Sequence, residues 1–389
     1  MQALQAQGKK VLISIGGATG PVHLDSSADV AAFVASMHGI ITTWGFDGLD
    51  IDLEGSSLSV VAGDTDFANP TSPRIVNFIA AVTQLVAMLP ADFLLTAAPE
   101  TATLQGAYSA YGGVWGAYLA VIHALRNDLD WVQVQHYNTG SMFGRDGQIY
   151  SPGTAAFHVA MADMLTSGFY VPAAGSNFPP LAPEQVVIGL PASPGAAGSG
   201  FTTAPLVHDA LDQLYLGLPT TGYLLGDPDG FPRLRGVMTW SINWDVDSSL
   251  AFSAAHRKYL DEVNLAVDVP QISSAAGGAI GFTLRAGLPH AGRGYFLVPT
   301  LSGTSPGTWL SGNRIFPINL DAASLWPFQA GTAGYFSGIA GNLDASGSGT
   351  ASIAVPPTVA ATVTTAHFAF VLDHPWEFFS DPVAVEFLP

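Results

Sequence analysis

Along residues 1–265 the apolar positions fall into two alternating rhythms. Short runs at 10–15, 46–55, 93–98, 129–137, 186–190 and 236–240 have the period and length of strands. Between them, residues 27–43, 75–89, 114–126, 155–167 and 204–215 carry apolar side chains at helical spacing, as Val30, Phe33, Val34 and Met37 do behind a capping Ser26. Strands separated by helices imply parallel pairing with right-handed crossovers, so this part is expected to be α/β with its chemistry at the strands' C-terminal ends. From 266 onward the rhythm changes. A Pro/Ser/Ala/Gly stretch reads as a linker at 267–278. Alternating runs at 294–298, 350–355, 362–372 and 383–387, punctuated by Gly, Pro, Ser and Asn, then predict an antiparallel β-sandwich over 279–389.

One strand departs from the ordinary pattern. In Phe46-Asp47-Gly48-Leu49-Asp50-Ile51-Asp52-Leu53-Glu54-Gly55, the period of two places Asp50, Asp52 and Glu54 on one face, with Ile51 and Leu53 on the other. Three carboxyl groups within roughly 7 Å along a buried strand cannot all stay ionised, so they must share protons. Asp47 has the wrong parity for that face and reads as structural. On the strand at 129–137, Gln135 and Tyr137 share a face, while His136 points the other way and reads as a hydrogen-bonded structural histidine. Gly16 and Gly17 end the first strand, where glycine permits either a tight turn or the close approach of a ligand. The acidic loop with Asp64 and Asp66 reads as solvated rather than as a calcium site. Of the aromatics Tyr108, Tyr111, Trp115 and Tyr118, only Tyr118 is assigned to packing. Trp309, Trp326, Tyr335, Phe336 and Trp376 are assigned to the core of the sandwich rather than to a sugar platform, because large aromatics are mostly buried.

Asp47-x-x-Asp50-x-Asp52-x-Glu54 resembles the catalytic signature of the family 18 glycoside hydrolases, the chitinases. Ser14-Ile15-Gly16-Gly17, Ala98-Pro99-Glu100-Thr101, Gln135-His136-Tyr137-Asn138, Gly189-Leu190-Pro191-Ala192 and Met238-Thr239-Trp240-Ser241 resemble strand ends of the same family, in the family's order over roughly residues 1–265. The likeness is greatest to its bacterial, hevamine-like branch. It implies a (β/α)₈ TIM barrel over 1–266, and it implies retaining, substrate-assisted hydrolysis of β-1,4-linked N-acetylglucosamine in chitin. Glu54 would be the general acid. Asp52 would orient the substrate acetamide, Asp50 would share a proton with Asp52, and Tyr137 would donate to the acetamide oxygen. Trp240 would lie under the sugar, with Gln135, Asn138, Gly16, Gly17 and Met238 lining the substrate site. The same acids would serve two alternatives, a catalytically impaired chitin-binding protein and an endo-β-N-acetylglucosaminidase acting on N-glycans. Against the family pattern only about ten residues precede the S-x-G-G strand, so the barrel is expected to lack its first two strands and the chain to be N-terminally truncated.

Composition narrows the partners. The 389 residues carry 12 Lys plus Arg against 30 Asp plus Glu, a formal charge of −18. That balance argues against nucleic acid and anionic membranes and suits a neutral polymer. Mean hydropathy is +0.33, yet the most apolar stretch, residues 78–95, is interrupted by Thr83, Gln84, Pro90 and Asp92 and reads as a helix running into a strand rather than a membrane span. Cysteine is absent, which excludes disulfides and thiolate metal sites. The ten histidines show no helical pairing, so neither a metal nor a cofactor is expected. A secreted bacterial monomer, its signal peptide lost with the missing N-terminus, is the expectation.

Overall fold

The computed structural model describes residues 1–310, 314–357, 363–373, 376 and 378–388. The chain divides into two compact units, residues 1–214 with 219–253, and 215–218 with 254–389.

The first unit is a parallel sheet of six strands lying side by side in chain order. These are β1 (Leu12–Gly16), β2 (Gly48–Asp52), β3 (Leu94–Ala97), β4 (Trp131–Gln135), β5 (Val186–Pro191) and β6 (Gly236–Trp240). The helices α1 (Ser27–Trp44), α2 (Pro73–Val86), α3 (Tyr118–Leu125), α4 (Ala155–Ser167) and α5 (Ala204–Leu216) connect successive strands. Local chemistry sets their ends. Ser26 and Asp29 form a reciprocal capping box at α1, and Gly45 closes it in the left-handed region at φ 67°. Pro73 occupies the first turn of α2, where its missing N–H costs nothing. α3 starts at Tyr118 and not at 114, because Gly113 and Gly116 have φ of 59° and 71°, which no helix accommodates. Two short hairpins, Met142–Phe143 with Ile149–Tyr150 and Phe169–Val171 with Ser176–Phe178, are too brief to leave a periodic trace in the sequence.

Register is what positions the site. β1 pairs with β2 so that Ser14 lies beside Asp50 and Gly16 beside Asp52, and β2 pairs with β3 so that Asp50 lies beside Thr96. The apolar face of β2 goes into the core, with Leu49 and Ile51 wholly buried and Leu53 nearly so. The parallel order delivers the acids of β2 and the glutamines of β4 to the same end of the sheet.

The second unit contains two larger sheets. One orders Leu265–Val267, Gly278–Arg285, Ser348–Val355 and Phe336–Ser337. The other orders Gln271–Ser273, Val383–Leu388, Thr365–Leu372, Gly294–Thr300 and Ala340–Asn342. Ile280, Phe282, Leu284 and Ile353 of the first pack with Leu297, Phe368, Phe370 and Val385 of the second in one apolar layer.

Three expectations need correction here. The stretch 267–278 is not simply a linker, since Gln271–Ser273 is a strand hydrogen-bonded to Val383–Leu388. That pairing is parallel, so the second sheet is mixed rather than antiparallel. Of the aromatics assigned to the core, Phe336 packs against it, whereas Trp309, Tyr335 and Trp376 are 68%, 42% and 38% exposed. Strand alternation turns Phe282, Phe368 and Phe370 inward instead, whereas Trp309 sits on a separate two-stranded hairpin and Tyr335 in a 3₁₀ turn. Of the run expected at 362–372, residue 362 lies outside the described residues.

Candidate active site

Asp50 sits deepest of the three acids. Its Oδ2 accepts from Ser14 Oγ at 2.8 Å, and its Oδ1 accepts from Thr96 Oγ1 at 2.6 Å and Gln133 Nε2 at 2.9 Å. Two of these donors are the register neighbours on β1 and β3, and the third reaches across from β4. A buried carboxylate with three donors is well satisfied without a cation.

Asp52 and Glu54 are provided for differently. The two N–H groups of Gln135 Nε2 are shared among Asp52 Oδ1 at 3.0 Å, Glu54 Oε1 at 3.1 Å and the carbonyl of Ala98 at 3.0 Å. One amide thus holds both carboxyl groups together at the mouth of β2. Burial pushes the Asp52 carboxyl up to about 7, helped by the negative charges of Glu54 and Asp50 and, last, of Glu100. Asp52 therefore takes up its proton near neutral pH rather than in the usual aspartate range. Tyr137 lies on the same side. Burial raises its hydroxyl above the usual phenol range, and the charges of Asp52, Glu54 and Asp50 add to the effect, so it remains a donor.

The backbone around the acids is fixed from two sides. A Cβ built on Gly16 (φ 105°) would fall 2.1 Å from the Asp52 carbonyl oxygen, and the N–H of Gly17 donates to that same oxygen at 2.6 Å. The glycines thus serve the close approach of a neighbouring strand, a third possibility beside the turn and the ligand contact considered from sequence. From behind, the wholly buried Tyr118 hydroxyl accepts from the Leu53 N–H at 2.6 Å and donates to the Ile51 carbonyl at 3.3 Å.

The remaining expected residues divide. Asn138 has a left-handed backbone at φ 50°, and its Oδ1 accepts from the Gly198 N–H at 2.7 Å. Its side-chain oxygen is engaged with the loop after β5. Trp240 ends β6 and is 52% exposed, and Met238 lies two residues earlier on the same strand, its methyl group against Gly189. Asp47 is tied to the start of the sheet, accepting from Gln5 Nε2 and the Val11 N–H, and these bonds hold its carboxyl below the usual range. His136 faces away from the acids, is buried, and stacks on His158 with their Nδ1 atoms 3.0 Å apart. Desolvation lowers both imidazoles, so the pair is neutral. Asp64 accepts from the N–H groups of Thr71 and Ser72 and from Ser72 Oγ, which occupies it within its own loop.

Sequence reading did not single out Ser14, Thr96 or Gln133 as partners of Asp50, nor the Tyr118 hydroxyl as a latch. The first two leave a usable trace, being the polar residues that a one-to-one parallel register brings level with Asp50. Among the described residues no group of three His, Asp or Glu side chains could hold a metal ion, and no helix is long and apolar enough to cross a membrane.

A sequence profile described as glycosyl hydrolases family 18 matches residues 1–209. Chitinase D of Niallia circulans is 57% identical over 261 residues, 66% of this chain and 50% of that protein. Chitinase Chi52 of Paenibacillus xylanexedens is 55% identical over 260 residues, again 66% and 50%. A probable class II chitinase of Arthroderma benhamiae is 48% identical over 269 residues, 67% of this chain and 80% of that one. The chain thus spans about half the length of the two bacterial relatives. Among solved structures, a family GH18 chitinase from Chromobacterium violaceum, a TIM barrel, superposes with a TM-score of 0.60 at 40% identity, covering 66% of each chain.

Proposed function

We propose, from the premise that this chain belongs to glycosyl hydrolase family 18, that it hydrolyses β-1,4-linked N-acetylglucosamine polymers with retention of anomeric configuration. The observation that carries this reading is the Asp52–Glu54 pair, two carboxyl groups on one amide donor at the mouth of a parallel sheet, with the Asp52 carboxyl pushed up to about 7. Most retaining glycosidases set a nucleophilic carboxylate about 5 Å from the acid, and family 18 instead uses the substrate's own acetamide.

Glu54 donates its proton to the glycosidic oxygen as the C1–O bond breaks, and the acetamide oxygen forms the new bond to C1. The cyclic oxazolinium ion so produced is positive, and Asp52 stabilises it while accepting from the acetamide N–H. Asp50, with three donors of its own, stays fixed behind Asp52 and shares the cluster's proton. Tyr137 donates to the acetamide oxygen and sets its line of attack. Glu54, now a carboxylate, takes a proton from the incoming water, which opens the ring from the face the leaving group left. Trp240 offers an aromatic face for the pyranose. An insoluble polymer cannot enter a cell, so the enzyme acts outside it, and a neutral polymer is not repelled by the strongly acidic chain.

Two measurements test the reading. Proton NMR of chitin-oligomer hydrolysis should show the β-anomer first. Fully deacetylated oligomers, which lack the internal nucleophile, should not be cleaved. Initial α-anomer, or equal rates on deacetylated oligomers, would overturn substrate assistance.

A further inference from the structure

Glu100 ends the segment after β3 and has no part in the mechanism above. Its surroundings set it beside that machinery. Its Oε2 faces the N–H of Gly55, the residue directly after Glu54, at 3.4 Å. Its backbone bridges to Gln135, the residue whose amide binds Asp52 and Glu54. Its carbonyl accepts from Thr103 Oγ1 at 2.8 Å, and the neighbouring Thr101 Oγ1 donates to the Gln135 carbonyl at 2.5 Å, so the segment is pinned on both sides. No cation is paired with Glu100 among the ion pairs of the described residues.

We infer that Glu100 is a positioning residue of the site, a fourth carboxyl whose charge favours the protonated form of the Asp52–Glu54 pair while its hydrogen bond steadies the turn after Glu54. This rests on the hydrolase reading above. Burial raises Glu100 itself, the Gly55 hydrogen bond opposes that, and the charge of Glu54 adds to the rise. The coupling is mutual, since Glu100 is also among the charges that raise Asp52.

The test is a ¹³C-carboxyl NMR titration of the whole chain together with the pH profile of kcat/KM on a chitin oligomer. In Glu100→Gln, which keeps the shape and an acceptor but loses the charge, the Asp52 midpoint and the high-pH limb of the profile should both move down by roughly half to one pH unit. Glu100→Asp, which keeps the charge, should leave both near those of the natural chain. A purely structural Glu100 would lower the rate at every pH without moving either midpoint, and that result overturns the inference. If Glu100→Gln does not fold, the natural chain decides the matter. Its Asp52 resonance should inflect a second time where Glu100 titrates, and a single smooth step would overturn the inference. Absence of chitin-oligomer hydrolysis by the natural chain would overturn the proposed function alone, because the titration is read without turnover.

Discussion

Asp163, wholly buried, and Asp52, half-buried, both lie in the parallel unit, yet their partners differ in number and in kind. Asp163, on α4, is wholly buried and receives Tyr223 Oη at 2.7 Å, Ser167 Oγ at 2.7 Å, the Gly226 N–H at 3.0 Å and the Arg145 guanidinium at 3.5 Å. Every oxygen is supplied, and a cation stands alongside. Asp52 has a share of one amide, three neighbouring acids and, among the described residues, no ion-paired cation. Surroundings of the first kind fix a carboxyl group in place and hold loops together. Those of the second kind leave a carboxyl short of donors, so that it takes up a proton it can share. Burial alone therefore does not mark an acid as chemical. The deficit of donors does.

Substitutions should separate the two sites. The largest effect is expected at the pair: Glu54→Gln should lower the rate of reducing-end release from colloidal chitin by on the order of 10²- to 10⁴-fold. Its melting temperature and its binding to chitin oligomers should stay close to those of the natural chain. Asp163→Ala should do the reverse, costing about 3 kcal/mol in chemical denaturation by stranding Arg145, Tyr223 and the Gly226 N–H, while turnover per folded molecule holds. Were the two profiles to coincide, the contrast between the sites would fail.

The pH dependence sharpens the comparison further. Asp52 keeps its proton in the folded chain up to about 7, whereas the ordinary aspartate value is 3.8. Between those values the folded state binds more protons than the unfolded one, so this group's contribution to stability falls as pH rises through the window and is constant above it. Asp52→Asn removes that slope. Thermal melts should show the variant gaining on the natural chain from pH 4 to pH 7, by about a few degrees, and no further gain above. The smallest effect is expected from Tyr118→Phe, which takes one hydroxyl from the Leu53 N–H and the Ile51 carbonyl. A loss of about 1–2 kcal/mol in stability, with a modest fall in kcat at unchanged KM, would match its place behind the site.

Much of this was legible in the sequence, and the reasons differ from residue to residue. The alternation of Asp50, Ile51, Asp52, Leu53 and Glu54 defines a face by parity alone, and so does the pairing of Gln135 with Tyr137. Element order followed from the switch between periods of 2 and 3.6. What parity cannot provide is register. Ser14 and Thr96 meet Asp50 because β1, β2 and β3 align level there, Gln133 reaches in from β4, where Trp131 is the residue level with Thr96, and nothing local states that alignment. The Gly16–Asp52 approach and the Asn138–Gly198 bond are likewise made between segments distant in the chain. In the second unit, composition suggested that large aromatics would be core, whereas the packed layer is built from the phenylalanines that alternation turns inward, leaving Trp309 outside.

The most direct measurement is a ¹³C-carboxyl titration of Asp52 in the natural chain without substrate. The expected result is a midpoint near 7, well above the ordinary aspartate range. A cluster fully ionised by pH 5 would contradict the proton-sharing pair on which the proposed hydrolysis depends.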